Sequence, residues 1–107
     1  METLRAGIGD LVNELNRVRN NIGDPDQQLQ LQKIIRVLFA LWEEVIAQEI
    51  DRNTEAFEEA LTALEEAETE ARGAVEDISK VAETIGKAVT AARAVNGVVR
   101  LFDPIVA

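Results

Sequence analysis

From Phe57 to Val99 one side of the chain repeats every seven residues: Phe57, Leu64, Ala71, Ile78, Ile85, Ala92 and Val99. Leu61, Val75, Ala82 and Val89 fall four residues after members of that set, with Glu68 and Asn96 as polar members of the second column. A seven-residue apolar period holds one helical stripe toward a partner helix, so the pattern predicts a heptad seam of the coiled-coil kind. Beside it runs a column of small residues, Ala60, Ala67, Ala74, Val81, Ala88 and Val95. Read as a flank, this column lets helices approach closely and widens the face. On the polar side Glu68–Arg72, Glu76–Lys80 and Glu83–Lys87 are acid-before-base pairs at i,i+4, each worth about 0.2–0.5 kcal/mol in a helix.

The first half of the chain is also helical in pattern. Leu4, Ile8, Leu11, Leu15, Val18 and Ile22 stack on one face and predict a helix over 3–22. Gly7 and Gly9 weaken its first turns, by about 1 kcal/mol each relative to Ala. Gly23 suits a left-handed helix stop, Asp24 a cap, Pro25 a first helical position and Gln27 a capping-box partner. So short a link predicts an antiparallel hairpin. A second helix then runs over 25–52. Its apolar residues, Leu31, Ile34, Ile35, Leu38, Leu41, Trp42, Val45 and Ile46, form a face wide enough for two neighbours.

The remaining boundary is Asp51-Arg52-Asn53-Thr54, polar but without Gly or Pro. A third helix over 54–102 follows, ended by Pro104, with 103–107 as a short tail. The whole reads as one all-α domain over 1–107. An unbroken third helix is about 73 Å long at 1.5 Å per residue, against about 28 and 40 Å for the other two. Its uncovered seam would meet water, so this reading predicts self-association through Val75, Ile78, Ala82, Ile85, Val89, Ala92 and Val99. The alternative is a break near Gly73 and a four-helix bundle. The heptad phase runs through Gly73 unchanged, and Ala74 and Val75 offer no cap, so the unbroken helix is the favoured reading.

Composition then removes most chemistry. The 107 residues contain no Cys, His or Tyr, which excludes thiolate nucleophiles, cysteine-held zinc and histidine acid–base work. A net charge of -9, from 20 acids and 11 bases, opposes nucleic-acid binding and simple docking to anionic lipid. The charge is uneven: 51–72 hold eight acids against Arg52 and Arg72, whereas 73–107 hold four of each. The opening residues lack a signal peptide's apolar run, and no stretch nears the ~20 apolar residues of a membrane span. The expected compartment is the cytoplasm.

Carboxylates are what the chain offers a metal. Leu41-Trp42-Glu43-Glu44 through Glu49 weakly resembles the all-α nucleotide pyrophosphohydrolases of the MazG type. That resemblance implies paired glutamates on one helix and a Glu-x-x-Asp on the next, holding magnesium. Here Glu49 lies five residues after Glu44, off the same face, and no Glu-x-x-Asp follows. Ferritin-like sites need Glu-x-x-His, absent here. A solvated acidic face is the simpler reading, with no metal and no cofactor expected. Glu68 and Asn96 read as polar positions that set register, Trp42 as core. Gly7-x-Gly9 follows no strand and carries no third glycine, so it is no phosphate loop.

The expected function is thus non-catalytic: a helical interaction or scaffold module that binds itself, or another helical protein, through its last helix. Residues 88–102, low in charge and rich in small apolar side chains, admit an alternative as a membrane- or apolar-surface-active helix. A magnesium-dependent nucleotide hydrolase is the remote alternative.

Overall fold

The structure is a computed structural model that describes residues 3–48 and 55–101. It is an all-α bundle of four helices: α1 (Leu4–Asn21), α2 (Pro25–Gln48), α3 (Glu55–Glu76) and α4 (Val81–Leu101), with a single 3-10 turn, Ile78–Lys80, before α4. The end of the second helix, the boundary at 51–54, the stop at Phe102 and the tail at 103–107 lie outside the described residues.

Thr3 starts α1, its hydroxyl accepting from the amide of Ala6 at 3.1 Å. The helix ends at Ile22 in extended backbone, φ -108 and ψ 148. The left-handed stop expected at Gly23 is not used, since Gly23 is not in the left-handed region; Pro25 disfavours helical geometry at Asp24, just before α2. Asp24 caps α2, its carboxylate accepting from the amide of Asp26 at 2.9 Å. Gln28 ties the turn back, donating to the Ile22 carbonyl at 2.6 Å.

The unbroken third helix is not what forms. The longest dimension of the molecule is 42 Å, far short of a ~73 Å rod. The break is at Asp77, one turn beyond Gly73. Asp77 is extended, φ -134 and ψ 102, and its carboxylate accepts from the Ser79 amide at 3.1 Å and the Ser79 hydroxyl at 2.7 Å. A helix N-cap needs such an oxygen outside helical geometry. Gly73 stays inside α3, where the Lys80 side chain lies over it.

α1 packs on α2 and α3, and α4 packs on α3 and α2. Among the described residues α2 and α3 do not touch, and α1 meets α4 only slightly. The short turns make each hairpin antiparallel. Gly7 near the start of α1 lies against Leu61 and Leu64 in the first half of α3, so α1 and α3 run parallel, and with them α2 and α4. α2 and α3, consecutive in the chain, therefore lie diagonally across the bundle from each other.

The core stripe of α3 and α4 is Phe57, Ala60, Leu64, Ala67, Ala71 and Ala74, then Val81, Thr84, Ala88, Ala91, Ala92, Val95, Val98 and Val99. All six members of the small-residue column are buried. That column, read from sequence as a flank, lies in the buried core. Leu61, Val75 and Val89 are only half-buried and Ala82 is exposed. The physical reason is size: where two helices pack through alanine, the backbones approach and the small column lies innermost. The hydroxyl of Thr84 shows how close they come: its one proton is shared between two carbonyls, that of Glu70 on α3 at 3.2 Å and that of Lys80 at 2.9 Å.

Candidate functional site: the groove between α2 and α4

The residues expected to mediate assembly do not share one surface. Ala92 and Val99 are buried in the molecule's own core. Val75, Ile85 and Val89 are half-buried against it. Ile78 stands out in the 3-10 turn, 62% exposed, and Ala82 is exposed in the first turn of α4. The fold-back at Asp77 is the cause, because it closes α4 onto α3 and α2.

Two of them, Val89 and Ala92, line an open groove of about 380 Å³ between α2 and α4. Its apolar walls are Ile34, Val37 and Leu41 on one side and Val89 and Ala92 on the other; Lys33, Arg93 and Asn96 complete it. Helical spacing puts Lys33, Val37 and Leu41 on one edge of α2, and Val89, Arg93 and Asn96 on one edge of α4. Val37 is 51% exposed. Leu29, one turn before Lys33, is 50% exposed and extends that edge. Phe39, also half-exposed, lies on the opposite edge of α2 and is not part of it. Asn96, expected to set register within a seam, is half-buried at this groove.

The groove differs electrostatically from the rest of the molecule. α3 carries eight acids against the single base Arg72. On α2 no acid occurs between Asp26 and Glu43, and on α4 none occurs after Glu83. Within those stretches stand Lys33, Arg36, Lys87, Arg93 and Arg100. Lys87 turns to α3 and pairs with Glu66 at 3.7 Å. This replaces its expected partner Glu83. Glu76 and Lys80 are divided by the break at Asp77. Glu68 does pair with Arg72 on α3.

Other candidates resolve into structure. Trp42 is half-buried against the core. Glu43 and Glu44 are exposed, Glu49 lies outside the described residues, and among those described no group of acids is placed to hold a metal ion. No described helix is long and apolar enough to cross a membrane. The groove itself was missed from sequence, since its two walls lie some fifty residues apart; the run free of acids on each helix was the available signal. The chain matches no family model, no curated protein and no solved structure, so the groove has to be read from its own residues.

Proposed function

We propose that this chain is a non-catalytic helical interaction module that works through the α2–α4 groove, with another helical protein as its partner. One observation carries the reading: an apolar, solvent-open groove with cationic edges on a protein of net charge -9. Isolated exposed apolar side chains are ordinary, but a contiguous apolar concavity with polar edges is the usual form of a docking surface. Self-association was expected from the length of an unpaired helix, and the fold removes that length. A symmetric pairing of two grooves would also bring the Lys33 and Arg93 of one copy against those of the other, which like-charge repulsion disfavours. The cytoplasm is the compartment this reading assumes.

The test is site-directed photo-cross-linking in cells, with the photoreactive residue at Val37 in the groove or at Thr62 on the acidic face. A discrete cross-linked product from position 37, absent from position 62 and weakened on adding Leu29→Asp at an exposed position of the same edge, is expected. Light scattering of the purified chain should give the monomer mass. Equal products from both positions, or none from position 37, would refute the reading.

A further inference from the structure

We infer that the occupant of the groove is a single amphipathic helix whose apolar stripe is bordered by carboxylates; this rests on the groove being the working surface. The shape comes first. From Lys33 to Leu41 the α2 edge is about 12 Å long at 1.5 Å per residue, which matches about two turns of a docked helix. Such a helix presents side chains at i, i+3 or i+4, and i+7 to one groove. A volume of about 380 Å³ takes a few aliphatic side chains, and the groove is open along its length rather than closed around a small molecule.

Charge then selects among helices. Lys33 on one wall and Arg93 on the other stand on opposite sides of the apolar floor. Arg36 and Arg100 add charge of the same sign on the two helices that form the groove, and both are exposed. The nearest acids along α2, Glu43 and Glu44, lie just past the end of the groove at Leu41. A helix with acids on both sides of its apolar stripe meets a cation on each wall. A basic helix meets repulsion on both. Complementarity of this kind governs which partners are accepted and how fast they associate. Asn96 adds an amide able to donate to a carboxylate.

The probes are two synthetic helical peptides of about sixteen residues with the same leucine stripe, one flanked by Glu and one by Lys, titrated calorimetrically into the intact chain. The Glu peptide should bind at tens of micromolar or tighter. Lys33→Glu with Arg93→Glu should weaken it at least about tenfold and let the Lys peptide bind instead. Both positions are on the surface, so circular dichroism and melting should be unchanged. Equal binding of the two peptides, binding of neither, or binding to vesicles of phosphatidylcholine with one-fifth phosphatidylserine in preference to the Glu peptide would overturn the inference. If both peptides fail while the cross-link from position 37 persists, the groove stands as the interface and the acidic helix falls.

Discussion

The two hairpins reach the same architecture with different materials. In α1 and α2 the buried residues are large: Leu4, Ile8, Leu11 and Leu15 in the first, Leu31, Ile34, Ile35 and Leu38 in the second. In α3 and α4 they are mostly small: Ala60, Ala67, Ala71 and Ala74 in the first, Val81, Ala88, Ala91 and Ala92 in the second. Large aliphatics contribute by area removed from water, about 25 cal/mol per Å². Alanines remove little area each, and their contribution comes from backbone proximity and dense dispersion contacts. The turns differ in the same way. The first has Gly23, Asp24 and Pro25 in succession, and the second rests on Asp77 with Ser79. A leucine hairpin tolerates a loose fit and suffers from a hole. An alanine hairpin has little to lose by truncation and suffers from added bulk.

That contrast can be broken most directly in the core. Leu38→Ala should cost about 2–5 kcal/mol by leaving a cavity. Ala67→Leu should cost about 1–3 kcal/mol by forcing α3 off its neighbours. Urea unfolding measures both, and an Ala67→Leu chain as stable as the parent would mean that the alanine face is not closely packed.

A smaller effect compares the turns. Hydrogen bonds from the Ser79 hydroxyl and amide, then the charge of Lys80, hold the Asp77 carboxyl below its ordinary value. A carboxylate whose folded value is depressed adds stability that is fully present above its unfolded value, near 3.9, and is lost as pH falls through the folded one. Asp77→Asn should therefore lower the unfolding midpoint at pH 7, and the gap to the parent should close on acidification below about pH 4. Asp24→Asn should cost less, because Pro25 and the Gln28–Ile22 bond still hold the first turn. A gap for Asp77→Asn that is constant from pH 7 to pH 3 would contradict the capping role.

The smallest effect concerns glycines in the two outer helices. A Cβ at Gly9 or Gly97 meets nothing within 4 Å, so Gly9→Ala and Gly97→Ala should each stabilise by about 0.5–1 kcal/mol. At Gly7 the added carbon would sit 3.2 Å from the Leu64 Cδ1, and the helix gain should be cancelled by displaced packing. Equal gains at Gly7 and Gly9 in thermal melts would show that α1 has slack against α3.

The leucine hairpin was legible because its signals are chemical and local. The 3.6-residue period of α1 and the Asp-Pro start of α2 are carried by residues that do one thing well. The alanine hairpin was half legible. Its seven-residue spacing is plain in the sequence, but hydrophobicity ranks Leu61 above Ala60, whereas packing buries Ala60 fully and Leu61 only in part. The unbroken heptad phase favours a single helix over 54–102, with a four-helix bundle broken near Gly73 as the alternative; the chain forms four helices and breaks one turn past Gly73, at Asp77, where a side-chain oxygen caps the next helical turn. Thr84 gave no warning of its interhelical bond. Nor was the groove legible, since it exists only once α4 has folded back beside α2.

The diagonal placement of α2 and α3 bears on how the molecule comes together. Within each hairpin the contacts are near in sequence and should form early, as local contacts do. Contacts between hairpins run α1 to α3 and α2 to α4, and the helices joined by the 49–54 link do not touch each other. Covalent continuity between the two hairpins through that link makes their docking intramolecular. Cut at that point, the bundle would become a bimolecular complex of two hairpins, its stability set by dilution as well as by packing.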